Sequence, residues 1–420
     1  MSYREILYSK DTQMAKKLSV LFATFSPWEN NKRMPTNGMI EPMLSFFVPR
    51  TKTFTLIDEP HPGSNVLIPI IEIYKNGKLV KKTKSSFFVS WLYPFLLTRN
   101  SVGTRTVFKI RDFLAILDFA LRQKTKYDLF IGLESVNAIA GVILKKLGLI
   151  KKVVYYVSDY SLQRYQSSWF NSLYLWLDRL AATKADFIWD VSQAMMPARI
   201  KAGLNPKKAA PLIHVPNALF PEQINYLPIK KLIFNSLVYA GTLGIENGPD
   251  LAIKAFSLVI KKVPNASLHI FVGGKNDLER LKKLSQKLHL NKEIFFHGFV
   301  SDQIALSNEI NKYAIGLAPY KAIPGSPRWW ADATKIRLYL AAGLPVITTQ
   351  VPPLGKELVD ENAGLVVKDN PEELSRAIKK IFTDRELYFN LRKNAMKKAK
   401  GNTWENTYKN ALSAMGFHFN

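Results

Sequence analysis

The chain has 420 residues, with 59 Lys and Arg against 33 Asp and Glu, a formal net charge of +26 and no cysteine. Hydrophobic content of 47% with 12% aromatics excludes a largely disordered chain, and the length points to two or three domains. The lack of cysteine excludes disulfide frameworks, thiolate zinc sites and cysteine nucleophiles.

Residues 1–16 are charged throughout and lead into no apolar segment with a small-residue cleavage site, so no secretory signal is expected. Segment 18–25 (LSVLFATF) reads as a first buried strand. A polar loop with Asn31, Lys32, Arg33 and Asn37 follows, placed to cover a cleft, and a helix starts at Met39. Strands are expected at 53–60 and 66–74. From Lys75 to Arg111 there are nine basic residues and no acidic one, flanking the apolar run Phe87–Leu97. That run is too short to span a bilayer, which takes about 20 residues. Basic residues beside an aromatic-aliphatic segment suit an anionic membrane surface, so the protein is expected in the cytoplasm, lying against a membrane. Solvated surface lysine is the competing reading of the same charge. Nucleic acid is disfavoured as a partner, because no zinc-finger, RNP-like or helix-turn-helix signature is present.

Helix 108–121, strand 127–133, helix 135–147, strand 152–159, helix 168–183 and strands 185–192 and 211–217 complete the first half. The second half repeats the style. Strands are expected at 232–241, 266–274, 293–299, 313–320 and 344–349, with helices at 249–262, 276–288, 301–311, 331–342, 372–381 and 385–400. This alternation predicts an α/β protein of two doubly wound parallel units. Pro216, Pro221 and Pro228 mark the junction, giving domains over 1–216 and 217–400 with a final segment 401–420.

In a parallel sheet, ligands bind beyond the carboxyl ends of the strands. Three loops there stand out: Gly241-Thr242-Leu243-Gly244, Gly273-Gly274-Lys275, and 321–334 leading into the helix that carries Lys335. Glycines there admit backbone N–H groups to a phosphate, and a helix start adds partial positive charge. Residues 333–347 (ATKIRLYLAAGLPVI) resemble the donor-site signature of GT-B glycosyltransferases, above all the retaining family 4. Segments 238–256, 268–274, 295–320, 352–367 and 402–412 fit in order, and 127–148, 155–161 and 215–219 resemble the acceptor half more weakly.

The resemblance implies two Rossmann-like domains facing across a cleft, with the last helix crossing back to the first. It implies a nucleotide-sugar donor, retention at the sugar, and neither cofactor nor metal, and a lipid-linked or polysaccharide-precursor glycan acceptor would account for the basic apolar patch. Donor contacts then fall to Gly241, Thr242, Gly244, Gly274, Lys275, Gly298, Phe299, Arg328 and Lys335. The family's basic pair in the first glycine loop is replaced by Thr242 and Asn247, and its two glutamates by Trp330 and Leu338. Asp332 stands in as a catalytic carboxylate or serves as a helix N-cap. On the first domain Glu134 and Asp159 are catalytic candidates at strand ends, with Arg164 the nearest cation and Ser135 an N-cap. Trp329 and Trp330 are a stacking platform or core. Lys335 is expected on an exposed helix face, aimed at the diphosphate. His61, His214, His269, His289, His297 and His418 show no metal spacing. Loss of the carboxylate pair keeps a transfer-deficient binding protein and a sugar-nucleotide epimerase of the same fold open as alternatives.

Overall fold

The computed structural model describes residues 18–34, 38–85, 102–272, 275–300 and 302–417. The expected segment Phe87–Leu97, Asn37 and Gly274 lie outside them. The first half comprises β1 (Ser19–Ser26), a small hairpin β2 (Trp28–Glu29) and β3 (Lys32–Arg33), α1 (Ile40–Phe47), β4 (Thr53–Pro60), β5 (Ile70–Lys75), β6 (Lys78–Lys84) and α2 (Val102–Gln123). It continues through β7 (Tyr127–Leu133), α3 (Ser135–Lys146), β8 (Ile150–Val157), α4 (Ser168–Lys184), β9 (Phe187–Asp190), α5 (Met195–Lys201) and β10 (Leu212–His214). Eight of these strands form one sheet in the order β10-β9-β8-β7-β1-β4-β5-β6.

Five junctions of that sheet, from β10 to β4, are parallel. The β4–β5 and β5–β6 pairings are antiparallel, which corrects the purely parallel expectation for this domain. Strands β1 and β7 are apolar on both faces because helices cover both, as parallel strands require. At the other extreme β6 is an edge strand, and Lys78, Lys81, Lys82 and Lys84 are exposed along it. Lysines on an edge discourage pairing with another chain.

The second half holds β11 (Ser236–Ala240), α6 (Pro249–Val259), β12 (Ser267–Phe271), α7 (Lys275–Lys287), β13 (Ile294–His297), α8 (Gln303–Ile310), β14 (Ile315–Ala318) and α9 (Thr334–Ala341). Then come β15 (Val346–Thr349), α10 (Leu354–Asp360), β16 (Gly364–Val367), α11 (Pro371–Thr383), α12 (Arg385–Gly401) and α13 (Trp404–Ala414). Its six strands are all parallel, ordered β13-β12-β11-β14-β15-β16. Helix α13 returns to the first core. Trp404 and Tyr408 are buried there, with Tyr408 against Phe46, Phe47 and Trp189 at ring distances of 5.4, 5.9 and 6.2 Å. The return is pinned where Leu219 N donates to Asn402 O and Trp404 N donates to Leu219 O, both at 3.1 Å. Among the described residues no helix is long and apolar enough to cross a membrane.

Candidate functional site

Strand β11 is followed by Gly241, whose φ of 148° suits glycine. A Cβ at this position would stand 3.1 Å from Lys335 Cε and 3.3 Å from its Nζ, so the bare glycine makes room for the ammonium. Lys335 arrives there because α9 is locked to the strand ends by Tyr339, one turn on. Tyr339 OH accepts from Ala240 N at 2.7 Å and donates to Leu317 O at 3.0 Å.

Contrary to the sequence expectation, Lys335 is buried, at 9% exposure. Its Nζ donates to Tyr239 OH at 3.2 Å and lies 4.3 and 4.7 Å from the ring centroids of Tyr239 and Tyr320. Tyrosine faces attract a cation, but they replace water poorly. Burial, then the Arg328 guanidinium, pull the Lys335 pKa down to about 7. Arg328 sits in a 3₁₀ turn with Nη2 3.2 Å from Glu246, while its Nε is buried with no partner among the described residues. Two cations therefore face one glycine loop with an N–H unspent.

The rest of the loop is built to hold still. Asn247 Nδ2 donates to Thr242 Oγ1 at 2.7 Å, so the two residues standing for the family's basic pair satisfy each other. Gly248 has φ 66°, and a Cβ on it would lie 1.7 Å from Pro319 O. Gly244 caps the 3₁₀ turn 245–247. Gly298 and Phe299 follow β13 at the same end of the sheet, with Phe299 71% exposed. Lys275 opens α7.

On the first domain, Glu134 follows β7 with φ 71° and ψ 164°. That region is essentially reserved for glycine, and a side chain there is strained by about 1–3 kcal/mol. Glu134, not Ser135, is the N-cap of α3, and its carboxylate makes no capping bond. It is spent instead on Arg164, with Nη2 3.4 Å from Glu134 Oε1 and Nη1 3.5 Å from Asp159 Oδ2. Burial raises the Asp159 pKa, opposed by Arg164 and, from the second domain, by Arg328. Lys109 of α2 also belongs to this group. Burial lowers its pKa, but Glu134, Asp112 and Glu59 more than offset that and leave it raised. The sequence pattern singled out neither Lys109 nor the tyrosines around Lys335, because their roles come from positions far apart in the chain.

Loops from the two sheets touch. The rings of Tyr160 and Trp330 meet edge-on at 6.5 Å, and Ser161 Oγ donates to Gly325 O at 3.4 Å. Trp330 is thus a bridge between domains. Trp329 fastens its own loop by donating Nε1–H to Ile323 O at 3.0 Å, and Leu338 is core. Asp332 is not a helix cap, since Ala333 occupies that place. Its carboxylate accepts from Asn217 N, at the junction of the two halves, at 2.7 Å and pairs with Arg337 Nε at 2.8 Å. This engagement makes Asp332 a strut across the domain junction. Arg33, expected in the loop over the cleft, is tied to Asp58 at 2.6 Å and Glu72 at 3.1 Å. Two adjoining clefts of about 200 and 720 Å³ lie beside Gln193, His214 and Glu357, away from Gly241. Among the described residues no cluster of three or more His, Asp or Glu side chains is arranged for a metal.

Residues 235–384 match the family model for glycosyl transferases group 1. An uncharacterised glycosyltransferase of Methanocaldococcus jannaschii is 28% identical over 276 residues, 62% of this chain and 68% of that protein. Among solved structures, sucrose-phosphate synthase from Thermosynechococcus elongatus superposes with a TM-score of 0.68 at 14% identity, covering 95% of this chain and 100% of that one. Anabaena HepE in complex with UDP-glucose does so with 0.64 at 15% identity, covering 95% and 100%. At such identities the structures speak for the fold, while the family model speaks for the second domain. Residues 235–384 thus carry the match to glycosyl transferases group 1, and the whole chain shares the GT-B fold of the glycosyltransferases it superposes on.

Proposed function

We propose that the second domain binds a nucleotide-sugar donor at Gly241, Thr242, Gly244, Gly298 and Phe299, and that Arg328 and Lys335 hold its diphosphate. The first domain then presents an acceptor hydroxyl near Glu134 and Asp159, and the sugar passes across with retention. The observation that carries this reading is the Arg328–Lys335 pair. Two neighbouring cations, one of them deprived of water, are a poor arrangement until an anion lies between them. A uridine nucleotide is the first donor to try, because a similar fold holds UDP-glucose.

In this mechanism the leaving diphosphate takes the acceptor's proton on the face it departs from. Glycosyl–oxygen cleavage to the diphosphate and bond formation to the acceptor oxygen then occur on one side of the sugar. The chain's contribution is orientation and neutralisation of developing phosphate charge, both large terms. Glu134 and Asp159, fixed by Arg164, orient the acceptor hydroxyl, and Asp332 keeps the domains in register.

The test is incubation with UDP-glucose and candidate glycan or lipid-linked acceptors, with the product anomer assigned by NMR. An α-linked product from the α-donor is expected, and Glu134→Gln should slow transfer by roughly 10²-fold or more. An inverted product removes retention, and failure to bind any nucleoside diphosphate removes the donor site. A second reading, binding without turnover, is favoured by the apolar Trp330 and Leu338. It predicts nucleotide affinity with no transfer or donor hydrolysis.

The same reading places an acceptor of the cell-envelope kind at a membrane. Its support is the lysine edge β6, where Leu79 and Val80 are also exposed, together with Trp169 and Trp176 exposed on α4. Lys82 is excluded from the test because it pairs with Glu72 at 2.9 Å. Replacing Lys78, Lys81 and Lys84 by Glu is expected to release the protein from phosphatidylserine vesicles, each lysine contributing roughly 1 kcal/mol. Unchanged sedimentation with vesicles would sink the membrane reading.

A further inference from the structure

Glu59 is the penultimate residue of β4, at the carboxyl end of the strand, and is fully buried. Its Oε2 accepts from Asn137 Nδ2 at 2.9 Å, and Asn137 is itself 1% exposed. Both other polar atoms of the pair, Glu59 Oε1 and Asn137 Oδ1, are buried without a partner among the described residues. Each is an acceptor, so a carboxylate cannot satisfy the amide oxygen, and turning the amide over only changes which carboxylate oxygen receives the N–H and leaves the amide oxygen unmet. Buried polar groups are rarely left in this state.

One proton resolves both. On Oε1 it can donate to Asn137 Oδ1 while Nδ2–H continues to donate to Oε2, closing a two-bond acid–amide ring. We propose that Glu59 is held as a neutral carboxylic acid, ringed to Asn137, and acts as a positioning residue that leaves the Lys109 ammonium to Glu134. The inference rests on the reading of Glu134 as acceptor-facing for its functional half only; the ring stands or falls without it.

The surroundings agree. Burial and then the Asp112 charge push the Glu59 pKa well above the carboxylate range, and Lys109, the Asn137 bond and Arg111 oppose this only in part. Arg111 is otherwise engaged, with Asp112 beside it and with the carbonyls of Leu67 and Pro60 at 2.7 and 2.8 Å. With Asp112 answered by Arg111 and Glu59 uncharged, Glu134 is the carboxylate left to raise the Lys109 pKa. Ionising Glu59 would place a second anion against that ammonium and draw it off Glu134.

Infrared spectroscopy of the full chain tests the ring directly. Wild type at pH 8 is expected to show the carbonyl stretch of a protonated carboxylic acid, absent in Glu59→Gln. Glutamine carries an N–H where the acid carries its O–H, so Glu59→Gln should melt with wild type, while Glu59→Ala and Asn137→Leu melt lower. No such band, or a Glu59→Gln protein melting as low as Glu59→Ala, overturns the ring. The positioning role is read from pH profiles of transfer: the alkaline fall of kcat in wild type should move or vanish in Glu59→Gln. An identical alkaline limb in the two proteins overturns the positioning role while leaving the spectroscopic result intact.

Discussion

Lys335→Met is expected to weaken nucleoside diphosphate binding roughly ten- to a hundred-fold while leaving the protein at least as stable at pH 7. A charge-assisted bond to phosphate contributes ~1.5–3 kcal/mol, which sets the loss of affinity. Methionine fills the same slot between Tyr239 and Tyr320 without a charge to desolvate, whereas Lys335→Ala would open a cavity in a buried site. The sign of the pH effect follows from the depressed value of about 7. Between about 7 and the unfolded lysine value near 10.4, the unfolded chain binds the extra proton, so wild-type stability rises with pH through that window. The methionine variant should lack this rise. Diphosphate binding restores the proton, so wild-type affinity should fall above pH 7 with proton uptake measurable by calorimetry in buffers of different ionisation enthalpy. Equal affinities for wild type and Lys335→Met would remove Lys335 from the donor site.

The position of Lys335 in the chain was legible and its environment was not. Its place in the first turn of a helix after a strand end follows from the motif and the α/β alternation. That it is buried follows from Tyr239 and Tyr320, which lie 96 and 15 positions away and carry no periodic signal of their own. The same limit applies to Arg164, which is the nearest cation to Asp159 in sequence, whereas its contact with Glu134 30 residues away depends on the packing of β7 against β8. Strand β6 was missed for a different reason. Asn76 and Gly77 both have positive φ, the turn that joins close antiparallel strands, and an Asn-Gly pair is the strongest short-range sign of it. The pair was there to be read, but the run KLVKKTK is exposed on both faces and lacks the apolar alternation that marks most strands. Edge position, a property of the whole sheet, explains its composition.

Arg199→Ala should reduce stability by about 3–5 kcal/mol, against the roughly 5–15 kcal/mol that a domain commonly has. Arg199 is fully buried on α5, with Nε 3.1 Å from Asp178 Oδ1 and Nη1 2.5 Å from Asp190 Oδ2. Tyr155 OH donates to Asp178 Oδ1 at 2.6 Å, so the group joins β8, α4, β9 and α5 at a single point. Removing the guanidinium leaves two buried carboxylates facing each other, which is worse than losing the packing alone. The two costs separate by pH. Unpaired buried carboxylates have raised folded values, so their penalty is full above those values and is relieved as pH falls and they protonate. The deficit of Arg199→Ala should therefore shrink towards acid pH, while a cavity penalty would stay constant. Arg199→Met combined with Asp178→Asn and Asp190→Asn should recover much of the loss, since a buried charge group can be replaced by neutral residues more safely than broken. The guanidinium also lies 5.1 Å from the ring of Tyr160, which meets Trp330 across the domain junction. Arg199→Ala should accordingly loosen the segment opposite the donor loop and raise KM for the acceptor more than for the donor. Urea unfolding at several pH values measures the first effect, and a deficit under about 1 kcal/mol at neutral pH would show that the triad does not hold these four elements together.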